Sequence, residues 1–234
     1  MARRTPAQKH PLARAVEPTP PRVAPGAVLI QLALVTLLIA SFIWIFRHAF
    51  RGSSATFTVL LLAVLIWSHR KRGDSLRDLG FRLDTAPRTA LLFAPVALLV
   101  VSVALAAGAS MGSLRFPPFD YSLHQLADLI PLGIAQQYVL LGFYYRGIAS
   151  IVHTPGRAAL LTALVFSALH VPNVFLMAVT LFGGVITAAI YRRSPNLWVN
   201  GITHGLIVFT LGYTVPLTVT HNLRVGPGYW SWPS

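Results

Sequence analysis

The sequence predicts an all-α, polytopic transmembrane helix bundle of about seven spans, with six to eight as the range. Three observations carry this. Hydrophobic residues make up 55% of the 234 and charged residues only 11%, with a mean hydropathy of +0.64, a balance that a water-soluble globule does not have. Apolar runs recur at roughly the 17–25 residues that a helix needs to cross a bilayer, separated by polar or Pro/Gly-rich pieces. The basic residues gather in a few short segments between those runs, the pattern that orients helices in a membrane.

In chain order, residues 1–26 are rich in Pro and Arg and cannot bury a core, so they read as a disordered basic cytosolic tail. The first apolar run begins too far in, and ends in FRHAFRG without a small-residue cleavage pattern, so it reads as a retained anchor. Spans are expected at about 27–46, 55–68, 90–110, 126–145, 157–172, 174–190 and 196–214, within a transmembrane domain over 27–214. Residues 215–234 read as a short external tail. Segment 69–89 contains SLRDLGFRL, apolar residues among Arg and Asp, and reads as a short helix on the cytoplasmic surface or as a solvated loop. Residues 111–125 read as an external connection.

A cytoplasmic N-terminus places every Lys and Arg on that side except Arg47, Arg51, Arg115 and Arg224, leaving the C-terminus external. The net charge of +13 is thereby accounted for by orientation and anionic headgroups, and gives a nucleic-acid partner little support. Arg and Ala richness points to a bacterial inner membrane. The absence of cysteine excludes disulfides, Cys-ligated zinc and a thiol nucleophile.

Ionisable and amide side chains are costly at bilayer depth and are functional candidates there. They are few: Gln31, Asp128, Gln136, Gln137, His170, Asn200 and His204. Gln31, alone near a helix end, reads as an interhelical hydrogen bond. Each histidine taken alone reads first as a packed, hydrogen-bonded side chain. Counted at 1.5 Å per residue from the basic ends of their helices, however, Gln137, His204 and His170 lie about 13, 12 and 19 Å deep. Three helices thus bring polar groups to similar depth, as a shared site requires. Arg146, at the end of the fourth span, is either an interfacial anchor or a ligand for a substrate carboxylate or carbonyl.

These residues resemble the CAAX protease and bacteriocin-processing family of intramembrane proteases, which includes the prenyl-protein endopeptidases. Members carry Glu-Glu followed by Arg-Gly, then Phe-x-x-x-His, then a His with Asn or Asp four residues later. Phe166 and His170 in FSALHVPN match the second motif, including the Pro-Asn that follows; His204 in NLWVNGITHGLIVF matches the third, with Val208 in place of Asn or Asp; and AQQYVLLGFYYRGI occupies the place of the first. The resemblance spans about residues 75–212.

The resemblance implies that the first-motif glutamate and the two histidines activate a water against the scissile peptide. Here the paired carboxylates are Gln136 and Gln137, and Arg146 follows Gln137 by nine residues where the family spacing is four. An amide cannot act as a general base, though it can orient water or donate to an oxyanion. Glu17 is the sole glutamate, and of the aspartates only Asp120 and Asp128 fall near this region, too far toward the external side to substitute.

The expected catalytic set is therefore His170, His204, Gln137, Gln136 and Asn200, one of the histidines being the base. Arg146, Phe166 and Asn173 are expected to contact the substrate, a membrane protein or a lipidated peptide reached through the bilayer. No cofactor is expected; a divalent metal on His170 and His204 is the lesser alternative, one ligand short of the usual three for zinc. The main functional reading is an intramembrane endopeptidase. Its alternative is an inactive relative that binds, scaffolds or confers immunity. A transporter or channel is disfavoured because no internal repeat or pair of broken helices is visible.

Overall fold

The computed structural model describes residues 23–49 and 53–231, so the tail expected over 1–26 lies almost wholly outside the described residues. Among the described residues all regular structure is helical, and seven helices have 14 or more residues. They are α1 (Pro25–Ser41, carried on by a π-helical Phe42–Phe46), α2 (Ser53–Arg72), α3 (Ala86–Ser110), α4 (Phe119–Gln137, continued by π-helical Tyr138–Tyr145 and by Arg146–Ala149), α5 (Pro155–Ala168), α6 (Val174–Arg193) and α7 (Leu197–Thr214), followed by a short α8 (Leu217–Thr220). Four of them, α1, α3, α4 and α6, are long and apolar enough to cross a membrane. The fold is a polytopic helical bundle, as the hydropathy predicts.

Local sequence explains where the helices start. Proline occupies the first turn of α1, α3 and α5, where its missing N–H costs nothing. Asn173 and Asn196 cap α6 and α7, accepting from Leu176 N at 3.0 Å and Val199 N at 2.9 Å. The core centres on the π-helical stretch of α4, whose Leu140, Leu141 and Phe143 pack with Val28, Leu32 and Val35 of α1, Leu65 of α2 and Leu197 of α7.

The connections pair off at two ends of the bundle. At the basic end, residues 73–85 bond to the α6–α7 turn: Thr85 Oγ1 donates to Pro195 O at 2.7 Å, Asn196 Nδ2 to Arg82 O at 2.6 Å and Leu197 N to Gly80 O at 2.9 Å. At the opposite end Arg115 N donates to Tyr213 O at 2.9 Å and Gly226 N to Val171 O at 3.0 Å.

Two expectations are corrected and a third segment is defined more closely. SLRDLGFRL is not a surface helix. Ser75 and Asp78 cap one another, Ser75 N to Asp78 Oδ2 at 3.0 Å and Asp78 N to Ser75 Oγ at 3.2 Å, but the turn stops at Gly80, which has φ +93° and lies where a Cβ would sit 3.0 Å from the Tyr191 ring. The segment instead buries Leu79 and sets Phe81 between Tyr138 and Trp198, at ring separations of 5.6 and 5.5 Å. The span expected over 157–172 is a 14-residue helix that ends at Ala168, because HVPN turns the chain directly into α6. Residues 215–231, within the segment read as a short external tail, form a strap packed across the end of the bundle between residues 42–46 and 171–173.

Candidate functional site

The closest helix crossing in the bundle builds the site. Gly133 of α4 lies where a Cβ would come within 2.5 Å of Gly201 O, a Cβ on Gly201 would collide with the Ile134 backbone, and one on Gly205 would sit 2.9 Å from Leu129 O. Small residues let α4 and α7 backbones touch. His204 stands between Gly201 and Gly205, and the contact carries it to Gln137, whose Nε2 lies 3.1 Å from His204 Nδ1. The G-x-x-x-G spacing of GITHG was the sequence signal for this crossing.

The second histidine arrives from the other side. His170 lies in the turn that follows the short α5, and its Nδ1 is 2.7 Å from Phe166 O one turn back. The Phe166 ring is 4.8 Å from the His170 ring and 6.5 Å from the His204 ring, so both imidazoles sit against one aromatic side chain. Gln137, Phe166, His170 and His204, expected from sequence to share a site, are thus gathered from α4, α5 and α7.

Hydrogen bonding fixes different tautomers on the two rings. A carbonyl can only accept, so His170 Nδ1 carries its proton toward Phe166 O and leaves Nε2 with a free lone pair. The Gln137 amide donates to His204 Nδ1, so His204 carries its proton on Nε2. One ring can take a proton and the other can donate a hydrogen bond.

Two buried amide oxygens lie on the two helices of this crossing. Gln137 and Asn200 are both 1% exposed, and Gln137 Oε1 and Asn200 Oδ1 are buried with no partner. Asn200 lies one turn before His204 and its Nδ2 donates to Asn196 O at 2.6 Å. Buried unpaired acceptors cost on the order of 1–3 kcal/mol each, a cost that water or a peptide N–H would offset. Gln136 is half-buried and outside the Gln137–His204 pair. Among the described residues no group of three or more His, Cys, Asp or Glu could hold a metal, so the two imidazoles lack the third protein ligand that catalytic zinc takes.

Arg146 and Asn173 are engaged elsewhere. The π-helical residues 138–145 separate Arg146 from Gln137, and Arg146 Nη2 donates to Asp74 Oδ1 at 2.5 Å while Nη1 donates to Asp78 O at 3.0 Å. It latches segment 73–85 to the end of α4. Asp74 also receives His69 Nδ1 at 2.9 Å. Burial alone would raise the Asp74 carboxyl, but the His69 hydrogen bond and the Arg146 and Arg72 guanidiniums outweigh it and bring it down to about 2. A depressed carboxylate stabilises the fold above its unfolded value near 3.9, and this contribution is lost as pH falls through about 2. Arg146→Gln leaves that carboxylate buried and underpaired, and should lower stability at neutral pH by about 3 kcal/mol. Thermal unfolding of Arg146→Gln, Asp74→Asn and the double variant checks this: the double variant should lose clearly less than the summed single losses. Asn173 spends its whole amide inside the fold, as described below, and offers no free donor to a substrate.

Residues 118–210 match the family model described as type II CAAX prenyl endopeptidase Rce1-like. This part of the chain is similar to the type II CAAX prenyl endopeptidases. The match runs from the start of α4 into α7 and includes Gln137, Phe166, His170, Asn200 and His204. It begins well inside the 75–212 region of resemblance and leaves out α1–α3 and the C-terminal strap, so the latch at Asp74 lies outside the matched residues. The chain matches no curated protein and no solved structure.

Proposed function

We propose that the protein is an intramembrane endopeptidase, hydrolysing peptide bonds in membrane-embedded or membrane-adjacent segments of other proteins or lipidated peptides. The observation that carries the reading is the complementary pair of tautomers on two histidines that share the Phe166 ring. His170 Nε2 takes a proton from water as the water oxygen bonds to the scissile carbonyl carbon, whose π electrons move onto oxygen. His204 Nε2–H donates to that oxyanion. Collapse re-forms the carbonyl and breaks the C–N bond, and the proton held by His170 passes to the leaving nitrogen. Gln137 holds the His204 tautomer, and the free oxygens of Gln137 and Asn200 accept from water or from substrate N–H groups.

Access runs through the bilayer. A groove of roughly 290 Å³ between α3 and α7 is lined by Ala90, Phe93, Ala94, Val199, Ile202 and Thr203, about a quarter turn round α7 from Asn200 and His204. Its apolar walls suit a hydrophobic segment or a lipid chain. The N-terminus is taken as cytoplasmic on the distribution of Lys and Arg.

A second reading, an inactive relative that binds or scaffolds, is favoured by one observation: an amide, Gln137, is paired with His204 where the family has carboxylates. The two are separated by expressing wild type and Gln136→Glu/Gln137→Glu in membranes with reporters carrying candidate C-terminal or transmembrane segments. The protease reading expects detectable wild-type cleavage. Cleavage seen only in the double-glutamate variant would favour the inactive relative.

A further inference from the structure

The turn that aims His170 is held from outside the matched residues. Asn173 is fully buried, and its side chain makes three bonds. Oδ1 accepts from Leu176 N at 3.0 Å and caps α6; Nδ2 donates to Thr220 O at 2.8 Å and to Arg224 O at 3.0 Å. The two carbonyls bracket His221, Asn222 and Leu223, whose φ values of 46°, 50° and 55° are all left-handed. Three consecutive non-glycine residues in that region cost on the order of 1–2 kcal/mol each and persist only where surroundings enforce them. Asn173 is part of that enforcement.

The strap returns the support. Gly226 N donates to Val171 O at 3.0 Å, and Asn173 N donates to His170 O at 2.9 Å. Gly226, at φ +59°, is wedged where a Cβ would lie 2.7 Å from Ile43 Cγ2. The backbone of His170–Asn173 is thus gripped on one side by α6 and on the other by residues 220–226. His170 has its Nδ1 on Phe166 O, and among the described residues no other side-chain bond fixes its ring.

We propose that Asn173 is a positioning residue that ties the C-terminal strap to the 170–173 turn and so sets the direction of His170 Nε2. The inference rests on the protease reading for its consequence in catalysis, while its geometric content stands apart. It makes residues 217–229 a working part of the site.

Two variants test it. Asn173→Asp keeps an acceptor for Leu176 N, and a negative charge at the α6 N-terminus is favourable, but it loses both donors to the strap. Gly226→Val displaces the strap without touching Asn173. Both proteins are compared with wild type in membranes by reporter-peptide kinetics across pH, and by carbethoxylation of His170 with diethyl pyrocarbonate, mapped by mass spectrometry. The expected result is a fall in kcat of about 10- to 100-fold with KM changed less than about two-fold, a shifted pH–rate profile, and His170 modified several-fold faster in both variants. Unchanged His170 modification in both variants overturns the proposal, as does wild-type kcat in either. If wild type cleaves nothing, the protease reading fails and the modification rate alone decides the positioning role.

Discussion

His170→Ala should lower reporter cleavage by about 10²- to 10⁴-fold, the contribution of a placed general base. Its Nδ1 is committed to Phe166 O, so the lone pair on Nε2 is what the substitution removes. Among the described residues no carboxylate is bonded to the Gln137–His204 unit to take its place, and Asp74, the buried carboxylate of the basic end, is bound to Arg146 and His69. KM should change little, since the imidazole acts on water. His204→Ala should also lower kcat, by about 10²- to 10³-fold, the loss of one oxyanion donor. Single-turnover cleavage in membranes checks both, and a His170→Ala protein that cleaves at the wild-type rate removes the assigned base.

The second large effect is on assembly. Gly201→Leu should cost about 3 kcal/mol or more, because the atoms it meets are the Ile134 backbone and no side-chain rotation relieves them. Gly201→Ala should already be destabilising for the same reason. Gly183 on α6 has nothing within 4 Å of its Cβ direction, so Gly183→Ala should be neutral or stabilising by a few tenths of a kcal/mol. Thermal unfolding in detergent compares the three. The Gly201 variants should lose cleavage even where they remain folded, since separating α4 from α7 breaks the Gln137–His204 bond. Equal stability of Gly201→Leu and wild type would show that the backbones do not touch.

Hydropathy made the bundle legible, because a bilayer imposes one length and one chemistry on every crossing helix. The gathering of His170, His204 and Gln137 was legible for a related reason. Polar groups at similar depth on three helices have few places to go except a common interior. Where depth was the only guide, the sequence said less. SLRDLGFRL has the composition of a surface helix, and only the contact of Gly80 with Tyr191 shows why it ends after one turn. Arg146 reads equally as anchor or ligand until Asp74, 72 residues earlier, is seen to occupy it. The strap mixes Gly, Pro and Asn with scattered apolar residues and has no period, and its fixed path depends on Asn173, a residue that sequence placed beside the substrate.

The proposed function turns on whether the His170–His204 site, with glutamine beside it, hydrolyses a peptide bond. The most direct measurement is cleavage of a membrane-anchored reporter by the purified protein in proteoliposomes made with H₂¹⁸O, with the new C-terminus read by mass spectrometry. The account predicts a single cut whose new carboxylate carries one ¹⁸O, present in wild type and absent in His170→Ala. Product that forms equally in His170→Ala, or an intact reporter in wild type alongside a cut one in Gln136→Glu/Gln137→Glu, would contradict it.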